Sequence, residues 1–163
     1  MPARWGPEYE LKIIIVAALR ESTNLHALLF PSDVPQVNPL DTRVYESDAY
    51  LPAELRGVLP RLLVEVDSDT TNWEQEDPAG DLGPITVRLH HFVAQDDRER
   101  LEDMALQTSL IMDLIGETPP APDRIIASEL VKTGVRVKNR EPAFNDAYRL
   151  TETYLSRLVG VIG

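Results

Sequence analysis

The stretch Ile85-Thr-Val-Arg-Leu-His-His-Phe-Val93, continued through Asp96-Asp97 and on to Gly116, decides the fold. Ile85, Val87, Leu89, His91 and Val93 recur at every second position, the period of a strand with one buried face. The period then changes. Leu101, Met104, Ala105, Thr108, Ile111, Met112 and Ile115 recur at three and four residues, which predicts one long helix with a single inward stripe. Asp96 and Glu99 have the spacing of a capping box at the start of that helix, and Gly116 suits its end. A strand and a helix that each carry one apolar face must bury those faces against something, and the simplest partner is each other.

The elements on either side fit that core. Leu62, Val64 and Val66 alternate with Arg61, Glu65 and Asp67, predicting a second half-buried strand. Residues 68–84 separate the two strands, with Pro78, Gly80, Gly83 and Pro84 among them. The segment is too long for a tight two-residue turn and reads as a long acidic loop insert. Towards the N-terminus, Pro7 suits a first helical position, and Leu11, Ile14, Ile15, Ala18 and Leu19 form an apolar stripe. Ser22 is placed to cap a short second helix carrying Leu25, Leu28 and Leu29, which Pro31 ends. Residues 31–60 hold Pro31, Pro35, Pro39, Pro52 and Pro60, so they read as an extended connector with a strand only around Arg43-Val44-Tyr45. Beyond Pro119-Pro-Ala-Pro122, residues 125–137 and 148–159 predict two more strands. The expected fold is α+β: a mostly antiparallel sheet with an N-terminal helix and one long helix packed on it, and a long acidic hairpin loop. The expected organisation is a single domain over residues 1–163.

Sixteen basic residues against 27 acidic ones give a formal charge of −11, and the pI is near 4.6. That balance argues against a general phosphate-gripping surface, which needs clustered Lys and Arg. It suits a passage to which DNA must not stick. The apolar run Ile13–Leu19 is far short of the roughly 20 residues of a membrane span. Glu8 and Glu10 offset Arg4 and Lys12 ahead of it, so the expectation is a soluble intracellular chain without a signal peptide. With no cysteine, thiolate metal sites and Cys nucleophiles are excluded.

The search for chemistry finds little. Asp67-Ser-Asp69-Thr-Thr71 begins like a calcium loop, but the sixth position is Asn72 where glycine belongs and the twelfth is Pro78 where glutamate belongs. Glu65 and Asp67 share a strand face, as nuclease metal ligands do, yet no Lys or Arg occurs between Arg61 and Arg88. His90 and His91 are adjacent on a strand and point to opposite faces, so they cannot chelate one ion together. His91 lies on the apolar face and is expected to be a hydrogen-bonded core histidine. His26, in the short helix, has no sequence-local partner. No G-x-S-x-G elbow, phosphate loop or dinucleotide fingerprint is present. The expectation is no cofactor, no metal and no catalysis.

The charge layout stands out. Glu65, Asp67, Asp69, Glu74, Glu76, Asp77 and Asp81 come without an intervening base, while Arg124, Lys132, Arg136, Lys138 and Arg140 cluster later. Such runs are usually solvated faces. The alternative is a repeated head-to-tail contact in a closed ring. In that contact Glu74, Glu76 and Asp77 would approach Lys132, Arg136, Lys138 and Arg140 of the next copy, with Trp73 as the apolar anchor.

The order of elements resembles the tail terminator (tail completion) proteins of long-tailed bacteriophages and related tailed particles. The likeness rests on the helix Tyr9–Leu19, on Arg43-Val44-Tyr45 after a Pro-rich stretch, and on Pro60-Arg-Leu-Leu-Val64 entering a strand. It rests most on Ile85–Leu89 running through Asp96-Asp97 into the long helix. The resemblance implies a non-enzymatic virion protein of the tail or neck, assembled in the host cytoplasm. It also implies a homo-oligomer, usually a hexameric ring, that caps the tail-tube protein and meets a head connector or stopper protein. DNA would cross its lumen without specific binding, and no membrane would be involved. Three other readings fit the same residues: another neck or tail-tube component, a small acidic α+β binding module in a cell, and a metal-dependent hydrolase using the acidic loop.

Overall fold

The computed structural model describes residues 7–31, 42–46, 59–68, 81–94, 97–117, 125–127, 131–141 and 147–160. In chain order the elements are α1 (Pro7–Glu21), α2 (Thr23–Leu29), β1 (Val44–Tyr45), β2 (Arg61–Ser68), β3 (Asp81–Val93), α3 (Arg98–Glu117), β4 (Ile125–Ala127), β5 (Val131–Glu141) and β6 (Ala147–Gly160). The strands form one sheet in the order β1-β2-β3-β6-β4, and β5 also pairs with β6. All pairings are antiparallel except β1 with β2. The far edge of β6 is shared: Ala147–Leu155 takes β5, and Leu158–Gly160 takes β4. This is the expected α+β arrangement of helices on a mostly antiparallel sheet.

The period-two residues do what their spacing requires. Leu62 and Val64 of β2, Ile85, Val87, Leu89, His91 and Val93 of β3, and Leu150 and Tyr154 of β6 are buried on the sheet face that the helices cover. The helices supply Leu11, Ile15, Val16 and Leu19 from α1, Leu25 and Leu29 from α2, and Leu101, Met104, Ala105, Met112 and Ile115 from α3. Each fully buried leucine or isoleucine contributes about 1.5–3 kcal/mol of transfer free energy. Ile111, expected at the centre of the α3 stripe, is only partly buried at its border.

Three arginines tie the helices to the sheet edge and to one another. Arg20 of α1 donates from Nη2 to the Val44 carbonyl of β1 at 2.9 Å. Arg43, at φ 57°, donates from Nη1 to the carbonyls of Leu29 and Leu59 at 3.0 and 3.1 Å, and its guanidinium lies over the Phe30 ring. Arg100 of α3 donates to the Leu28 carbonyl at 3.1 Å. The carbonyls of Leu28 and Leu29 lie in the last turn of α2, where helical partners run out and a cation is favoured.

Five local expectations are corrected. The strands run past the predicted insert borders, to Ser68 and from Asp81, so the connection is residues 69–80 and not 68–84. Gly83 and Pro84 lie in β3. There the strand has passed the end of β2, whose last pair is Ser68↔Ile85, and a proline that cannot donate is tolerated. Helix α3 starts at Arg98, which makes Asp97 the cap position instead of Asp96; the Asp97 carboxylate pairs with Arg100. That helix also continues one residue past Gly116. Residues 125–137, predicted as one strand, are β4 and β5, and β5 reaches Glu141. His26 has a local partner after all, since its ring stacks on Phe30, one helical turn away, at 4.8 Å. Ser22 caps α2 as expected, accepting from the Leu25 N–H at 3.2 Å. Most of the Pro-rich connector, residues 32–41 and 47–58, lies outside the described residues.

Candidate functional site

The sheet face away from the helices carries a chain of polar side chains. Strand pairing sets Glu65 opposite Arg88, and Arg88 lies 2.7 Å from Asp67 and 3.5 Å from Glu65. The base that the sequence lacks beside Glu65 and Asp67 thus arrives across the ladder, 23 residues on from Glu65. Next to it, His90 spans the two strands that flank β3. Its Nε2 is 2.8 Å from Glu65 Oε2, and its Nδ1 is 2.8 Å from Thr151 Oγ1. A carboxylate only accepts, so Nε2 carries its proton towards Glu65, and Nδ1 faces the Thr151 hydroxyl. Further along, Arg61 lies over the Phe92 ring at 4.5 Å, and both are buried.

A hydroxyl, an imidazole and a carboxylate in a row resemble a nucleophile with its base and orienting acid. The setting differs. Thr151 pairs with His90 on one side and with Val137 on the other, so its backbone belongs to two ladders. The row acts as a cross-strand tie between β2, β3 and β6. Among the described residues no group of three or more His, Asp or Glu side chains is arranged to hold a metal ion. The calcium-like run starting at Asp67 leaves the described residues at position 69, and Asp67 itself is paired with Arg88.

On the helix side, α3 is fixed by two consecutive hydroxyls. His91, fully buried, has Nδ1 3.0 Å from the Leu150 carbonyl and Nε2 2.8 Å from Thr108 Oγ1. This is the hydrogen-bonded core histidine that its position in the alternation predicts. Ser109 Oγ is 3.3 Å from the Tyr154 hydroxyl, which also donates to Glu152 Oε2 at 3.4 Å. Burial pushes the Tyr154 pKa up to about 12, and the nearby Glu152 and Asp113 charges add to the rise against the Ser109 hydrogen bond. Arg98 ties the start of α3 to β6, donating to the Tyr148 hydroxyl at 2.6 Å from above its ring.

The residues singled out from sequence divide into two groups. Trp73, Glu74, Glu76 and Asp77 lie outside the described residues. Lys132, Arg136, Lys138 and Arg140 all fall in β5, at register positions opposite Tyr154, Glu152, Leu150 and Tyr148. Cross-strand partners share a sheet face, so all four basic positions belong to one face, the helix side. Their even spacing along β5 gives the same result, and the register shift between Lys132 and Arg136 sets four residues of β5 against two of β6, which leaves the face unchanged.

One surface goes unremarked in the sequence reading. Leu106, Leu110 and Leu114 of α3 are 58%, 50% and 62% exposed. They are four residues apart and make a ladder along the outward face of the helix. Exposed Glu99, Glu102, Asp103 and Asp113 flank it. The ladder runs into an open groove of about 350 Å³ between α1 and α3, lined by Ala18, Glu21, Ser22, Ile111, Leu114 and Ile115. The signal was present in the sequence as leucines at i, i+4 and i+8, opposite the stripe that fills the core.

The site and the fold together define a class: helices on one side of a mostly antiparallel sheet, with polar groups serving as ties and an apolar ladder turned outward. No family model matches the chain, and no curated protein does. Among solved structures, the chain is similar to one from the virion of a native gene transfer agent (GTA) particle, with TM-score 0.64 and 16% identity. The match covers 92% of this chain and 95% of that one. At this identity the likeness is one of fold. Among the described residues no helix is long and apolar enough to cross a membrane.

Proposed function

We propose that the chain is a non-enzymatic structural protein of a phage-like particle, forming a ring, hexameric in the simplest case, that caps the tail tube and joins it to the head connector. The carrying observation is the shared fold with a GTA virion chain over nearly the full length of both. The tail terminator resemblance supplies the finer role, with the tail-tube protein and the connector or stopper protein as neighbours and the tail or neck of the virion as location. A formal charge of −11 per copy suits a ring whose lumen DNA crosses without sticking. The polar row on the sheet suits the same reading, because it links β2, β3 and β6. In this proposal β5, with Lys132, Arg136, Lys138 and Arg140, is one side of the contact between copies. The insert, through Trp73, Glu74, Glu76 and Asp77, approaches it from the next copy.

Electron microscopy of the native assembly containing this chain tests the proposal. The expected image is a ring of this chain at the junction of tube and neck. Its appearance along the tube, or at no tail structure, overturns the capping role. Mass measurement of the purified chain gives a second reading: a ring is several times 18.3 kDa.

A further inference from the structure

We infer that the outward face of α3 is the apolar half of the contact between copies, and that it seats the β5 edge of a neighbouring copy. The inference rests on the ring reading and adds to it a surface that the sequence-based contact does not contain. Leu106, Leu110 and Leu114, half or more exposed along one line, continue into the groove beside Ala18 and Ile111. Apolar area arranged in a line is the mark of a docking surface, where single exposed leucines are not.

Charge selects the occupant. The ladder is flanked by Glu99, Glu102, Asp103 and Asp113, and no basic residue occurs in α3 after Arg100. Two such faces meeting about a two-fold axis would set like charges against each other, which disfavours self-pairing. The fitting partner has apolar residues interleaved with bases. Strand β5 has that pattern: Val131, Val135 and Val137 interleave with Lys132, Arg136, Lys138 and Arg140. Among the described strands it pairs with β6 alone, which leaves it at the border of the sheet. The repeats also match. Residues four apart on a helix rise about 6 Å, and residues two apart on a strand rise about 6.6 Å. A strand laid along the ladder therefore keeps step with it. A contact between two different faces of one chain is heterologous, and it closes into a ring when the rotation allows.

The test measures the mass of the full chain against concentration. Leu106→Glu combined with Leu110→Glu changes only exposed positions and should raise the concentration for half-assembly at least tenfold. Asp103→Lys with Glu102→Lys should also weaken assembly, and adding Lys138→Glu with Arg140→Glu in the same chain should partly restore it. Circular dichroism and melting checks that each variant keeps its fold. If the wild type forms rings and the leucine variants do so equally well, the α3 surface is wrong and the ring reading stands. If the leucine variants keep the ring mass but lose binding to tube or connector, the face belongs to a different protein and this inference falls. A wild type that stays at the mass of one chain at every concentration overturns the ring reading and this inference with it. Reversing Glu74, Glu76 and Asp77 to Lys tests the insert separately from α3.

Discussion

The two faces of the sheet are built on different physics. On the helix side, Leu62, Val64, Leu89 and Leu150 are fully buried, and both ring nitrogens of His91 among them are matched, to the Leu150 carbonyl and the Thr108 hydroxyl. On the opposite side, the Glu65–Arg88–Asp67 cluster is 38% to 57% exposed at its side chains and ends in the His90–Thr151 tie. The first face supplies stability through area removed from water. The exposed cluster on the second sets which residues lie opposite each other across the ladder, at little energetic gain, because exposed ion pairs are screened and flexible, while Arg61, Phe92, His90 and Thr151 of that face are buried. Stability and register are thus handled by separate residue sets on the same strands.

Substitutions on the two faces should differ in size. Leu89→Ala, at the middle of the helix-side face, should cost about 2–5 kcal/mol in denaturant unfolding, since it removes buried methyl groups and leaves a cavity. Ile111→Ala should cost less, because that residue is only partly buried. A reversed order would mean that the border of α3 carries the packing.

The next effect is a pH dependence on the helix side. Unfolded tyrosine loses its proton near pH 10, while folded Tyr154 keeps it to about 12. Between these values the unfolded chain sheds a proton that the folded chain retains, which favours unfolding. The stability from this residue is fully present below pH 10 and is lost as pH rises through 12, by roughly 2–3 kcal/mol. Tyr154→Phe should remove that part of the alkaline slope, read as the difference between variant and wild-type stability across the same pH range. A slope unchanged by the substitution would show that Tyr154 is not responsible.

The smallest effect belongs to the opposite face. Asp67→Asn should cost no more than about 1 kcal/mol and should vanish in high salt. A loss of several kcal/mol that persists in salt would make the polar face a second core and dissolve the comparison.

Much of this was legible in the sequence, because period two and period 3.6 are direct consequences of backbone geometry. β2, β3, α1, α2 and α3 all follow from them. What was not legible required knowing which strands are neighbours. Arg88 reaches Glu65 only through antiparallel register, and the basic positions of β5 come to lie opposite Tyr154, Glu152, Leu150 and Tyr148 only through the pairing with β6. Glu152 hides the pattern of β6: it is a charged residue at a helix-side position between Leu150 and Tyr154, fully buried, so a binary reading assigns it to solvent. Pro84 sits in a strand because its neighbour strand has already ended, which no local rule sees. The α3 ladder was overlooked for the opposite reason, since a reading that looks for a core stops once one stripe has filled it.

The placement of β6 has a consequence for how the chain is made. This strand comes last in chain order and lies inside the sheet, joined to β3 on one side and to β4 and β5 on the other. As the chain emerges from the ribosome, α1, α2, β2, β3 and α3 appear first and have part of a core to collapse on. Until β6 arrives, the long edge of β3 stays open and β4 and β5 lack the strand they pair with. Closing the sheet means joining Val93 to Tyr148 and Ile85 to Ser156, pairings of long sequence separation that raise contact order and slow folding. The nascent protein therefore passes through a stage with an open strand edge in a crowded cell, and a second chain at the same stage has the same edge to offer. Completing β6 quickly guards against strand exchange between half-made neighbours.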